Sequence, residues 1–311
     1  MESSRQYVQE KWKLIEKEYA GSPDLIVTPQ AEMKFYTTWK IGGRVIALVD
    51  VLRSVIFPNL FFKMQELDCP WKILGKGSNI LVSDQGYSGV VIRLAGEYSK
   101  MNYLGNQRIE SGAGVALSHL VSFALDHSLG GFEFLVGVPG TMGGAVRMNA
   151  GCFGQEISNL IQEILVIDNN GNIEWLKREK IDFFYRGSSL KKDRLTILKV
   201  IFQLFSDKPE NIRNNVRRYS LLRKQLQPVD WPSAGCVFKN PPGDYAARII
   251  EQMGFKGLRT GFAQISEKHS NFIINRGSAT AQDVMLLIDW IRKEVQRERS
   301  IVLENEIEVW Q

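Results

Sequence analysis

Hydrophobic and polar positions change their period part-way along the chain. From about Gln30 to Phe205, short apolar runs of strand character alternate with glycine-rich turns; after Ser206 the apolar positions fall three and four apart. Ahead of both, "MESSRQYVQEKWKLIEKEYAG" places Tyr7, Trp12, Ile15 and Tyr19 at roughly helical spacing and predicts a short amphipathic helix. In the strand-rich part, "WKILGKGSNILV" starts as a strand and breaks at Gly75 and Gly77, and "SGVVIRL" is a β-branched run suited to a buried strand. "RIESGAGVALSHLVSFALDHSLGG" predicts a strand, a glycine turn and a helix ended by Gly130. The apolar face of that helix is Leu117, Leu120, Val121, Ala124 and Leu125. "ILVIDNNGNIEWL" predicts a hairpin whose tight turn draws positive φ from Asn170 and Gly171. "RLTILKVIFQLF" closes the region as another strand.

Beyond Ser206, "PENIRNNVRRYSLLRKQLQP" predicts a basic helix ending near Pro228. "DYAARIIEQMGF" puts Ala246, Ile249, Ile250 and Met253 on one helix face, with Gly254 as the cap. Thr280 and Asp283 form an N-terminal capping pair, followed by Val284, Leu287, Ile288 and Ile291 on a core-facing stripe. The final "IVLENEIEVW" alternates as a strand, with Glu304, Glu306 and Glu308 on one face. There is no internal repeat and no low-complexity linker. The fold class is α+β: a helical extension over 1–30, a strand-rich region over 31–205 and a smaller α+β region over 206–311.

Composition narrows the function classes. At 311 residues, 44% apolar and 23% charged, the chain has the make-up of an ordinary globular protein with length for two or three cores. No apolar run approaches the roughly 18–20 residues of a membrane helix, so no membrane insertion is expected. The opening residues mix both charge signs and are not read as a secretory signal. Cys69, Cys152 and Cys236 are odd in number and far apart, and His119, His127 and His269 make no ligand pattern. No metal site or disulfide framework is expected, and a cytoplasmic location is. The net charge of +5 is scattered among acids, with no basic stripe interleaved with aromatics, which argues against nucleic acid. An anionic small molecule suits that charge better.

Five stretches could carry chemistry. In "GKGSN", Gly75 to Asn79, backbone amides can converge on phosphate oxygens, with Ser78 and Asn79 adding donors; the plain alternative is a β-turn. It is neither a Walker loop, since the Gly-Lys-Ser/Thr ending is missing, nor a Rossmann fingerprint, since Ile80 replaces the third glycine. "GVPGTMGGAVRMNAG", from Gly137 to Gly151, has five glycines that let a backbone approach a flat ligand or a pyrophosphate, or simply make a glycine-rich crossing. Arg186 in "FFYRGSS" is either an anion clamp or a stacked surface residue. Cys236 in "PSAGCVFKNP" is either small apolar filler or a group presented to a ligand. Upstream, Arg217, Arg218, Arg223 and Lys224 are a solvated helix face or a diphosphate holder. The three glutamates of "LENEIEVW" fit a solvent-facing edge unless one is turned into a site.

These stretches occur in one order, with "TTWKIGG", "EFLVGVPGTMGGAVRMNAGCFGQEI", "YRGSS" and "QISEKHSNFIIN" among them. From about Glu32 to Trp310 the chain resembles the MurB family of UDP-N-acetylenolpyruvoylglucosamine reductases, in its shorter branch. That resemblance implies an FAD-binding domain of the vanillyl-alcohol-oxidase (PCMH) type over 31–205. It also implies a substrate-binding domain over 206–311 that carries the C-terminal active-site strand. It implies noncovalent FAD reduced by NADPH, hydride transfer to UDP-N-acetylglucosamine enolpyruvate and UDP-N-acetylmuramate as product. A monomer is expected. By position, Gly75, Gly77, Ser78 and Asn79 match the pyrophosphate loop, and Val138, Pro139, Gly140, Gly143 and Gly144 the flavin-facing loop. Arg186, Glu306 and Cys236 match the catalytic arginine, glutamate and proton donor, and Lys224 and Asn240 match substrate-holding positions. Gln264, His269 and Asn271 fall in a family motif without an assigned role. Cys236 is the main departure, because the best-known members have serine there. An ordinary thiol, with pKa about 8.5, gives up a proton far more readily than an alkanol. The competing readings are a related FAD oxidase or dehydrogenase of another alcohol or sugar, and a catalytically silent nucleotide-sugar-binding protein.

Overall fold

The computed structural model describes residues 2–192 and 195–311. Its chain folds into two compact units that interleave in sequence. One comprises the chain up to Ala31, Ile46–Lys76 and Ser88–Leu221; the other comprises Glu32–Val45, Gly77–Tyr87 and Leu222–Gln311. The expected segments 31–205 and 206–311 are consecutive, whereas these units are not.

The first unit is built on two sheets. One has four strands in the order Leu25–Pro29, Val45–Val51, Tyr87–Leu94, Trp71–Ile73, with the last pair parallel. The second is a five-stranded antiparallel sheet ordered Ile173–Lys177, Ile161–Ile167, Thr196–Gln203, Arg108–Gly112, Met101–Gly105. The β-branched run 87–94 is buried at Val90, Val91 and Ile92, as its composition requires. The amino-terminal helix spans Glu2–Glu18. Its buried face is Val8, Trp12 and Ile15, at i, i+4 and i+7, while Tyr7 points outward and is 57% exposed.

Two local expectations are corrected. The helix Leu117–Asp126 ends before Gly130: Ser128 takes the left-handed conformation (φ +57), and Gly130 lies in the short strand Leu129–Gly130. The hairpin 161–177 does not turn on two residues. Ile167 pairs with Ile173, and Asp168 Oδ1 accepts from the Asn170 and Asn172 amides, so an Asx-type loop sets the turn. Gly171 has positive φ there, and Asn170 is not among the positive-φ residues.

The second unit packs the helices Ala246–Gln252 and Ala281–Arg299 with the antiparallel strands Arg259–Thr260, Ala263–Ile265 and Ile273–Asn275. Ile249, Ile250, Val284, Leu287, Ile288 and Ile291 are all in its core. The capping box of Thr280 and Asp283 forms in both directions, each side chain taking the other's backbone amide. The earlier segments join this unit through specific bonds. Ile80–Val82 pairs in parallel with Glu308–Trp310, and Trp39 Nε1 donates to the Ile273 carbonyl at 2.8 Å. The Ala281 and Gln282 amides donate to the Asp84 carboxylate at 2.7 and 3.0 Å. Those are two of the amides that a helix start leaves without partners, so Asp84→Ala should cost about 1 kcal/mol. A urea midpoint unchanged from the parent would show that this contact contributes nothing.

Candidate active site

The two glycine stretches meet within the first unit. A Cβ on Gly75 would stand 2.6 Å from Thr141 Oγ1, so the backbone at Gly75 passes Thr141 at a distance only glycine permits. Thr141 bridges Ala116 and is followed by the short helix Met142–Arg147. Val138 and Gly140 are half-buried and Pro139 is exposed. Gly143 and Gly144 differ in purpose. A Cβ on Gly143 would meet Ala113 Cβ at 2.9 Å, a packing requirement, whereas at Gly144 it would meet only Thr141 Oγ1, at 3.6 Å. Gly144 therefore has open space beside its backbone, and Gly143 lets the segment lie on its neighbour.

Arg186 occupies the two-residue turn of the hairpin Phe183–Phe184/Gly187–Ser188. Its φ is +58, a conformation a side-chain-bearing residue adopts at a cost of about 1–2 kcal/mol. The Nη1 donates to the Gly151 carbonyl at 2.9 Å, and the guanidinium lies 5.3 Å from the Tyr185 ring centroid. Its guanidinium is thus half-buried, oriented by these contacts and carried on a strained backbone.

Cys236 and Glu306 are brought together in the second unit. Gly235, at φ +78, turns the chain into a short segment bridging Phe272 at Cys236 and Asn305 at Phe238. The Glu306 amide donates to the Val237 carbonyl at 2.8 Å. On the other side, buried Asn271 clamps Phe238: its Oδ1 accepts from the Phe238 amide at 2.9 Å and its Nδ2 donates to the Phe238 carbonyl at 2.8 Å. That gives Asn271 a role in holding the cysteine segment, which the sequence alone did not supply. Asn79 reaches the same place, donating to the Glu306 carbonyl at 3.1 Å. The C-terminal strand is shorter than its alternation suggests. It spans Glu308–Trp310, and a bend at Glu306 and Ile307 separates the three glutamates. Glu304 pairs with Lys239 at 3.1 Å and Glu308 accepts from Trp310 Nε1 at 3.2 Å, while Glu306 is half-buried beside the cysteine segment.

Thr38, in "TTWKIGG", ties two of these pieces together. Its amide donates to the Gly77 carbonyl at 3.2 Å, and its Oγ1 to the Ser233 carbonyl at 2.7 Å. Gly77 lies at φ +65, and a Cβ there would sit 2.2 Å from the Tyr36 carbonyl oxygen, so only glycine closes this turn. Lys224 is exposed in the last turn of the helix Pro209–Leu226. Exposed Asn240 accepts from the Ala246 amide at 3.1 Å and so starts the next helix. Burial holds the His269 imidazole below its ordinary pKa, favouring the neutral ring. Gln264 is buried and donates to the Gly257 carbonyl at 3.1 Å.

Comparison with known proteins decides the family. Residues 227–310 match the model for the C-terminal domain of UDP-N-acetylenolpyruvoylglucosamine reductase, and residues 63–177 match an FAD binding domain. The reductase of that name from Heliobacterium modesticaldum is 40% identical over 281 residues, covering 90% of this chain and 89% of that protein. The one from Clostridium kluyveri is 42% identical over 277 residues, covering 89% and 90%. The chain belongs to the UDP-N-acetylenolpyruvoylglucosamine reductase family. The crystal structure of the Thermus caldophilus reductase superposes on it with a TM-score of 0.81 at 37% identity, over 92% of this chain and all of that one.

This reductase is therefore an FAD-dependent oxidoreductase, with an FAD-binding domain of the expected type joined to the family's C-terminal domain. The residues present fit the cofactor. Among the described residues, the amides of Gly77, Ser78 and Asn79 donate to no protein acceptor, in a turn whose φ reverses at Gly77. Successive amides left this way form an anion-binding concavity suited to a diphosphate. No helix among the described residues is long and apolar enough to cross a membrane, and no group of three or more metal-ligating side chains occurs among them.

Proposed function

We propose that this reductase converts UDP-N-acetylglucosamine enolpyruvate to UDP-N-acetylmuramate in peptidoglycan synthesis, as a cytoplasmic monomer using NADPH. The observation that carries this reading is the bond from the Glu306 amide to the carbonyl of Val237, the residue after Cys236, beside the turn that ends in Asn79. Segment 31–205 would hold FAD noncovalently and segment 206–311 the substrate, with 1–30 as a helical extension. Gly75, Gly77, Ser78 and Asn79 would take the FAD diphosphate, and Val138, Pro139, Gly140, Gly143 and Gly144 would line the flavin. FAD held there would supply the two-electron chemistry that links NADPH to the enolpyruvyl ether, whose β-carbon takes the hydride.

The side chains handle charge and the proton. As the β-carbon gains hydride, negative charge develops toward the α-carbon and carboxylate, and the Arg186 guanidinium holds that charge. Glu306, through its carboxyl group, polarises the enolpyruvyl unit. Cys236 gives its thiol proton to the α-carbon, which completes the lactyl ether and fixes its configuration; solvent then reprotonates the thiolate. One hydride and one proton are added, and NADPH leaves as NADP. Lys224 and Asn240 hold the substrate's anionic and polar groups; among the described residues, the Lys224 ammonium has no hydrogen-bond or ionic partner of its own. Mass spectrometry tests the reading. The expected product is the enolpyruvyl sugar heavier by two hydrogens, formed in step with NADPH loss. Oxygen consumption with simple alcohols, and no reduced sugar, would contradict it.

A further inference from the structure

Asn149, 1% exposed, lies between two hairpins of the first unit. Its Nδ2 donates to Glu156 Oε2 at 2.8 Å, on the hairpin Gly151–Glu156, and to the Phe184 carbonyl at 3.2 Å, on the hairpin that carries Arg186. Its Oδ1 accepts from the Ser158 amide at 3.3 Å. Both amide hydrogens of the side chain are thus committed, one to each hairpin. The residue sits at φ +44, in the left-handed region that asparagine enters more readily than most. The far end of the first hairpin is pinned separately: the Phe153 ring stacks on Tyr219 at 4.8 Å, and Gln155 Nε2 donates to the Tyr219 hydroxyl at 2.9 Å.

The two hairpins meet again where Arg186 Nη1 donates to the Gly151 carbonyl at 2.9 Å. A guanidinium is planar and rigid, so anchoring one N–H sets the direction of the others. The place of the Gly151 carbonyl therefore helps set how Arg186 is aimed. That carbonyl is two residues beyond Asn149 and in register with Glu156.

We propose that Asn149 is a positioning residue for Arg186: by bridging Glu156 of one hairpin and Phe184 of the other, it fixes the carbonyl that aims the guanidinium. The inference rests on the reading of Arg186 as the group that holds developing charge, and the test separates the two. Both half-reactions are followed by stopped-flow absorbance of the flavin-loaded enzyme. Asn149→Ala should leave the visible spectrum and bleaching by NADPH as in the parent. Its recolouring by the enolpyruvyl substrate should slow by about 10–100-fold, the scale of a small misplacement at a reacting centre. Glu156→Ala should follow it. Glu156→Gln, which keeps an oxygen for Asn149, should restore most of the rate. In an Arg186→Ala background, Asn149→Ala should add less than about a further twofold, as expected of residues acting as one unit.

A parent-like recolouring rate in Asn149→Ala, or an undiminished loss on top of Arg186→Ala, would overturn the positioning role. If Arg186→Ala itself recolours at the full rate, the charge-holding reading falls and takes this inference with it. Should Asn149→Ala lose its folded circular dichroism, the contrast between Glu156→Ala and Glu156→Gln decides.

Discussion

Cys236→Ala is expected to separate the two halves of the catalytic cycle. NADPH should still bleach the bound flavin at the parent rate, since the thiol takes no part in that step. Recolouring by the enolpyruvyl sugar should slow by about 10²–10⁴-fold, the usual worth of a positioned general acid. The loss belongs to the proton and not to the fold. Asn271 and the Glu306 amide hold the backbone at Val237 and Phe238, and neither bond uses the cysteine side chain. Cys236→Ser should keep substantial turnover, because a hydroxyl can carry the same proton from the same place. Peroxide should distinguish the two acids. A half-buried thiol that gives up its proton during turnover is oxidisable, so the parent should lose activity and the serine variant should not. Both half-reactions intact in Cys236→Ala would remove the cysteine from the mechanism.

Arg186→Ala should be nearly as damaging to the same half-reaction, by about 10²–10³-fold, or about 3–4 kcal/mol of lost charge stabilisation. Arg186→Lys should restore little, because an ammonium offers a point charge in place of an oriented fork. The backbone adds a second, opposite effect. At φ +58 the arginine is held where glycine is at ease. Arg186→Gly should therefore be more stable than Arg186→Ala by about 1 kcal/mol, although equally inactive. Urea midpoints in the order Gly above Ala, with matching stopped-flow losses, are the expected result. The reverse order would mean that the turn carries no strain.

What could be seen in the sequence was local. The capping pair Thr280 and Asp283, the apolar stripe of the helix it starts, and the break in the strand at Gly75 depend on neighbours a few residues away, and all are present. At Asp168–Asn172 the Asn-Gly pair favours a two-residue turn, but Asp168 draws two amides into a longer loop. Features set by distant partners were not legible. The bend at Glu306 follows from a bond to Val237, nearly seventy positions earlier by number, and the alternation of "LENEIEVW" gives no sign of it. The interleaved units follow from Trp39, Asp84 and the strand Ile80–Val82 finding partners near the carboxyl end. The motifs marked where chemistry could lie, and family resemblance supplied the roles. The bonds made by Thr38, Asn149 and Asn271 explain how the backbone around those motifs is held.

The most direct measurement is an anaerobic titration of the purified protein in the visible range. The predicted result is a yellow protein that NADPH bleaches and that the enolpyruvyl sugar then restores to full colour in the absence of oxygen. A protein that binds the UDP-sugar yet is colourless, or a bleached flavin that only oxygen reoxidises, would contradict the account.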